Sequence, residues 1–269
     1  MEINRSNINE IVTKASLRPD KDYGQNFLVE PSICEKIVSA LNIEEIDYVL
    51  EVGPGLGSLT HFVSLTNAKY DAVDIDLRMV NFLRVVYQDF SNIQIIESDI
   101  RKHDVSKYNK IIGNLPYNIT TETIQFFLTN AISAKRMIFM IQNEALNRFY
   151  DIKGKEYGPV SVLLHLLGTI EKLFVVKAGS FYPAPKCSSV VFAINIDENK
   201  NREDAIGAFK LAKSLFLNRR KTIQNNLVNT LRDKDLVAKL CSDLDINPLS
   251  RPEDLSPDTY LTIYRCLQK

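Results

Sequence analysis

The chain has 269 residues, 45% of them hydrophobic, and its 33 Lys+Arg balance 33 Asp+Glu to a formal net charge of zero. That content supports a sizeable core and argues against disorder, while the charge balance argues against coating nucleic acid through a uniformly basic surface, so any such contact must use local patches. Cys34, Cys187, Cys241 and Cys266 form no Cys-x-x-Cys pair and do not cluster with the three histidines, so neither a metal site nor a disulfide framework is expected; no signal peptide or membrane span is read either, and a reducing cytoplasm fits.

Residues 1–24 read as a polar lead-in with one short helix. Ile33, Ile37, Val38 and Leu41 recur at helical spacing, and Pro31 suits a first turn, so a helix is predicted over 31–42. Strands and helices then alternate: strand 48–52, helix 58–66, strand 70–75, helix 77–89, strands 93–96 and 110–113, helix 120–132 and strand 137–141. A helical stretch over 143–168 precedes two late strand-like runs, 173–176 and 190–194, read as a closing antiparallel pair. Such β-α repetition implies a parallel, doubly wound sheet with right-handed crossovers. The polar run 197–201 reads as a linker, and everything after it as helix. The expected architecture is α/β: a Rossmann-like sheet domain over 1–196 and a small all-helical domain over 197–269.

Glu51-Val52-Gly53-Pro54-Gly55-Leu56-Gly57 lies between a predicted strand and helix. Its Gly-x-Gly-x-Gly spacing is not the Gly-x-Gly-x-x-Gly of pyrophosphate binders, although glycines here still let the chain approach a ligand closely. A carboxylate at Glu51 would repel a diphosphate and suit a cation, such as the sulfonium and ammonium of S-adenosylmethionine. Asp74, with Asp76 as its rival, ends the second strand where an acid can hold ribose hydroxyls. Asp99 ends the third, where it could accept from an adenine amino group. Asn114-Leu115-Pro116-Tyr117 closes the fourth strand and offers two carbonyl acceptors, a φ fixed by proline and an aromatic face. That set suits a planar base with an exocyclic amino group. Such a base must leave its stack to be reached, and Tyr117 and Phe181 are the candidates for gripping its two faces, Phe181 from an exposed loop before Pro183 and Pro185.

Taken together with Gly24-Gln25-Asn26-Phe27-Leu28, Phe181-Tyr182-Pro183-Ala184-Pro185-Lys186 and Asn218-Arg219-Arg220-Lys221-Thr222, these motifs resemble the ribosomal RNA adenine dimethylases, most of all their bacterial small-subunit branch. The resemblance runs along essentially the whole chain. It implies a class I methyltransferase fold and transfer of four methyl groups from S-adenosylmethionine to two adjacent adenosines near the 3′ end of 16S rRNA, in an assembling small ribosomal subunit. It further implies cofactor contacts by Asn26, Leu28, Gly53, Asp74, Asp99 and Asn114; with Gln25, Glu51, Gly55, Ile75 and Ile100 these make the expected cofactor site. Asn114, Leu115, Pro116, Tyr117 and Phe181 make the expected catalytic set. Asp74 departs from the family, which usually has glutamate there.

From Ala205 to Arg232 there are six basic residues and no acid. Lys210, Lys213, Arg220 and Lys221 fall on one face if the helix continues, a candidate RNA-binding patch, and Arg148 is a further candidate; Arg219 falls toward the apolar side and suits a structural salt bridge. A mobile, substrate-facing loop is expected ahead of Tyr157-Gly158-Pro159. The expected protein is a monomer. The competing readings are a 23S rRNA dimethylase of the erythromycin-resistance type, a ribosome-assembly factor with secondary catalysis, and a dinucleotide-dependent oxidoreductase, against which the glycine spacing speaks.

Overall fold

The structure, a computed structural model, describes residues 1–17, 19, 25–116 and 119–268. Gly24 and Tyr117, both singled out from the sequence, lie outside the described residues. The chain divides into two compact units, 1–144 with 171–195, and 145–170 with 196–269.

The first unit begins with α1 (Ile8–Lys14), the two-residue strand β1 (Phe27–Leu28) and α2 (Pro31–Leu41). Pro31 sits in the first turn of α2, Cys34, Ile37, Val38 and Leu41 form its buried face, and Asn42 ends it in the left-handed conformation at φ 54°. There follow β2 (Tyr48–Val52), α3 (Ser58–Val63), β3 (Lys69–Asp74), α4 (Leu77–Val86), β4 (Ile93–Glu97), β5 (Lys110–Asn114), α5 (Thr120–Asn130) and β6 (Arg136–Gln142). Asp76 caps α4 by accepting from the Arg78 N–H.

Among the described residues, seven strands form one sheet in the order β4-β3-β2-β5-β6-β9-β7, with β7 (Gly168–Val176) and β9 (Ser189–Ile196) completing it. β4, β3, β2, β5 and β6 are parallel, in register through pairs such as Glu51 with Ala72 and Glu51 with Ile112. β9 is antiparallel to β6 and lies between it and β7, so the two late strands do neighbour each other. Val49, Ala72, Ile112, Ile138, Val191 and Ala193 share a core with the buried face of α2. Successive strands run outward from β2 toward β4 on one side and from β5 toward β6 on the other. The strand order therefore reverses between β2 and β5, and a doubly wound sheet opens its ligand crevice at that switch. A separate two-stranded ribbon pairs β1 with β8 (Phe181–Tyr182), Leu28 opposite Phe181.

The second unit holds α6 (Asn147–Tyr150), α7 (Pro159–Leu167), α8 (Arg202–Phe216), α9 (Ile223–Leu231), α10 (Lys234–Asp243) and α11 (Pro257–Leu267). The boundary read from the sequence at 196/197 is thus incomplete: 145–170 belongs with the C-terminal helices because α7 packs on α8 and α11. The Tyr264 ring of α11 packs on Gly207 of α8 and occupies the space a Cβ there would need.

Candidate active site

One cavity opens at the carboxyl ends of the parallel strands. Gln25, Asn26, Leu28, Glu51, Gly53, Gly55, Asp74, Ile75, Asp99, Ile100, Asn114, Leu115 and Pro116 all line it, so the structure brings together every described residue of the expected cofactor set. Phe27, quoted within its motif, also lines it, as do Ser58, Arg101, Ile119 and Met140, which were not singled out.

The turn after β2 is held open by backbone geometry. Gly53 has φ 64°, and a Cβ built on it would meet nothing within 4 Å, so its surface faces open cavity. The Gly53 N–H donates to the Val73 carbonyl at 2.9 Å, and the Gly55 N–H donates to Asp74 Oδ2 at 3.1 Å. Asp74 Oδ1 accepts from the Asp76 N–H at 2.9 Å. Burial raises the Asp74 carboxyl above its ordinary range, opposed by these backbone donors. Its rival Asp76 does not line the cavity: Gln25 Nε2 donates to it at 2.9 Å and Arg78 holds both its oxygens.

Glu51 departs from its expected state. It borders the cavity but is only 2% exposed, and its Oε2 accepts from Thr60 Oγ1 at 2.7 Å and from the Tyr70 hydroxyl. Burial pushes its pKa up to about 8, with the nearby Asp74 adding to the rise. Burial therefore favours the protonated acid bonded into the sheet over the ionised group read from the sequence.

Asp99 accepts from the Arg101 backbone N–H at 3.0 Å, from Arg101 Nε at 3.0 Å and from its terminal nitrogen at 2.7 Å. The Arg101 guanidinium holds the Asp99 carboxyl below its usual range. Asn114, at the end of β5, donates Nδ2 to the Asn26 carbonyl at 3.1 Å. That contact commits the amide nitrogen as donor, and the oxygen is the side chain's acceptor. Leu115 is tied by its N–H to the Met140 carbonyl at 3.0 Å, and the Pro116 carbonyl accepts from Thr120 Oγ1 at 2.9 Å at the start of α5.

Phe181 is not on an exposed loop. It is strand β8, 4% exposed and packed in the core beside Leu28, and it does not line the cavity. A two-residue strand is too short to be read from sequence.

In the second unit Lys210, Lys213, Arg220, Lys221 and Arg148 are all exposed. The helix does not continue as expected: α8 ends at Phe216, and Arg220 and Lys221 sit in the turn before α9. Arg219 is a structural residue, paired with Glu253 and donating to the carbonyls of Gly154, at 2.8 Å, and Lys155. The segment before Tyr157 is tied at two points: Arg219 holds the carbonyls of Gly154 and Lys155, and the Gly154 N–H donates to the Glu253 carbonyl at 2.9 Å, ahead of the buried Tyr157. Asn226, missed in the sequence, is 2% exposed and its Nδ2 lies 3.2 Å from the carbonyls of Asn218, Lys221 and Thr222, which fixes the shape of the basic turn. Among the described residues no His/Cys/Asp/Glu group is arranged to hold a metal, and no helix is long and apolar enough to cross a membrane.

The donor set fits S-adenosylmethionine. Among the described residues the one cationic side chain lining the cavity is Arg101, already paired with Asp99. Carboxylates, carbonyls and an open glycine turn suit a cationic sulfonium with a nucleoside, and offer nothing to neutralise a diphosphate. Fold and site define a class I, S-adenosylmethionine-dependent methyltransferase.

Comparisons with known proteins narrow the class. A model of the ribosomal RNA adenine dimethylase family matches residues 17–269. The ribosomal RNA small subunit methyltransferase A of Shouchella clausii is 34% identical over 97% of this chain and 95% of its own length. The protein of the same name from Malacoplasma penetrans is 34% identical over 93% and 92%. A dimethyladenosine transferase from Plasmodium falciparum superposes with a TM-score of 0.75 at 24% identity, covering 88% of this chain and 95% of that one. The 23S rRNA methyltransferase ErmE superposes with a TM-score of 0.70 at 19% identity, covering 91% and 100%. These two likenesses speak to the fold alone. The chain belongs to the ribosomal RNA adenine dimethylase family, and it is an S-adenosylmethionine-dependent rRNA adenine dimethyltransferase.

Proposed function

We propose that this enzyme dimethylates the 6-amino groups of two adjacent adenosines near the 3′ end of 16S rRNA, acting as a monomer in the cytoplasm on an assembling small ribosomal subunit. The observation that carries the chemistry is the Asn114–Asn26 contact at 3.1 Å, which fixes the amide of Asn114, a residue lining the cavity together with Leu115 and Pro116. The small-subunit assignment is supported by the names of relatives that match nearly the whole chain.

S-adenosylmethionine, when bound, supplies an electrophilic methyl group on a cationic sulfur. The residues supply position and fixed acceptors. The Asn114 oxygen and the Leu115 carbonyl would accept the two amine hydrogens of adenine, orient its nitrogen lone pair and stabilise positive charge as it develops there. Proline at 116 has no N–H to oppose a monomethylated amine, so a second transfer meets the same wall. Asp74, Asp99 and the Gly53 turn would hold the cofactor's ribose, adenine and methionine ends, and Tyr117 would stack on the base. Arg148, Lys210, Lys213, Arg220 and Lys221 would contact RNA phosphates.

The test incubates the purified chain and radiolabelled S-adenosylmethionine with unmethylated small subunits, large subunits or free 16S RNA, and identifies the modified nucleosides by mass. Dimethyladenosine in small subunits alone is the expected result. Label in 23S RNA overturns the substrate assignment in favour of the resistance-type reading. Cofactor binding without label in any RNA favours an assembly factor.

A further inference from the structure

Residues 1–17 precede all the motifs used above, and all but the last of them precede the family match at 17–269. They are nonetheless built against the wall of the cofactor cavity. Ile3, Ile8 and Val12 are buried in one apolar cluster with Phe27, Leu56 and Met79. Phe27 lines the cavity, Leu56 belongs to the glycine turn, and Met79 is on α4 just beyond Asp76. The Phe27 ring in turn lies on the turn itself, its Cε1 3.0 Å from where a Cβ on Gly55 would stand.

Arg5 adds polar contacts to the same region. Arg5 Nε pairs with the Glu30 carboxylate, and its terminal nitrogen donates to the Gly179 carbonyl at 2.6 Å. Glu30 and Gly179 flank the two halves of the β1–β8 ribbon, beside the bond from the Val29 N–H to the Ser180 carbonyl at 2.9 Å. Two strands of two residues each hold few ladder bonds, and an isolated pair is marginal in water. Outside support decides whether such a ribbon has one position or many.

We propose that residues 1–17 are a brace for the cofactor wall, with Arg5 as a positioning residue and Phe27 as the side chain through which the apolar half acts. A wall that must be ordered when the cofactor arrives binds more weakly in proportion to the fraction of time it is already in place. The brace keeps Phe27–Leu28 in place beforehand. This inference rests on the cofactor reading of the cavity, not on which RNA is methylated.

The experiment measures S-adenosylhomocysteine affinity by calorimetry, the thermal midpoint with and without that ligand, and transfer kinetics, in the full chain and in Arg5→Ala, Arg5→Lys and Ile8→Ala. Arg5→Ala should weaken the ligand about tenfold and raise KM for S-adenosylmethionine to match, with kcat and the RNA KM held. Because Arg5 is 62% exposed, the midpoint without ligand should barely move. Arg5→Lys, which keeps the pairing with Glu30, should recover part of the affinity. Ile8→Ala should lower the midpoint and also shrink the ligand-induced rise. Unchanged affinity in both Arg5→Ala and Ile8→Ala overturns the brace and leaves the segment merely structural. An unmodified chain that fails to bind the ligand overturns the cofactor reading itself, and the brace with it; failure of RNA labelling alone touches neither.

Discussion

Asp74 Oδ2 accepts the Gly55 N–H at 3.1 Å, so the end of β3 and the glycine turn after β2 form one hydrogen-bonded unit. The other carboxyl oxygen takes the Asp76 N–H. Both oxygens are therefore committed to backbone donors, while the same group faces the cavity. Asp74→Asn would turn one acceptor into a donor opposite a backbone N–H. It is expected to cost about 1–3 kcal/mol of stability, the usual penalty for an unsatisfied buried group, and to weaken S-adenosylhomocysteine as well. Chemical denaturation and calorimetry together check this. A stable variant that binds normally would show that the turn holds its shape without Asp74.

Glu51 makes stability depend on pH in an unusual direction for a carboxylate. Its folded pKa of about 8 lies above the ordinary 4.5. The folded state therefore holds a proton that the unfolded chain releases, and the stabilisation is complete below the ordinary value and lost as pH climbs toward about 8. In that window the slope contributed by one such group is at most about 1.4 kcal/mol per pH unit. Glu51→Gln keeps an acceptor for Thr60 and Tyr70 and cannot ionise. Its thermal midpoint should stay flatter than that of the unmodified chain between slightly acidic and slightly alkaline pH, and exceed it at the alkaline end. Parallel midpoint curves would remove Glu51 as the titrating group.

Two glycines should fail for different reasons. A Cβ on Gly113 would lie 2.9 Å from the Val52 carbonyl oxygen and 3.2 Å from Val52 Cβ, so β5 and β2 would have to part just before Asn114. Gly113→Ala is expected to cost about 1–3 kcal/mol, as overpacking does. Gly53 has space but a φ of 64°, so Gly53→Ala carries mainly the left-handed backbone penalty of about 1–2 kcal/mol. Its methyl also enters the cavity, so it should lose S-adenosylhomocysteine affinity out of proportion to its stability. Denaturation midpoints set beside calorimetric affinities separate the two cases.

What could be read from the sequence is what apolar runs and strand-end chemistry encode. β2 falls on 48–52 as expected, and the glycine turn, Asp74, Asp99 and Asn114 meet in one cavity because a doubly wound sheet brings successive strand ends together. Helix ends were overdrawn, α3 stopping at Val63 and α4 at Val86, since the apolar pattern runs on past the last hydrogen-bonded turn. The burial of Glu51 was hidden, because a strand buried on both faces has no polar alternation to show which carboxyl is sealed in. Phe181 and Asn226 were misread or missed because their partners, Leu28 and three main-chain carbonyls, come from folding and not from local pattern.

Arg219 and Arg220 are neighbours with opposite tasks. Arg219 is bound to Glu253 and to the carbonyls of Gly154 and Lys155, while Arg220 is exposed on a turn whose shape Asn226 fixes. Arg219→Ala strips partners from a half-buried site and should lower stability by about 1–3 kcal/mol. Arg220→Ala should leave the midpoint within about 0.5 kcal/mol of the original, as surface changes do. Its effect should fall on RNA: weaker binding to small subunits, and a slope of log affinity against log salt reduced by about one. Filter binding across a salt series reads the second effect and denaturation the first. If Arg220→Ala bound RNA with an unchanged salt slope, the basic turn would lose its place at the phosphate contact, whatever its exposure.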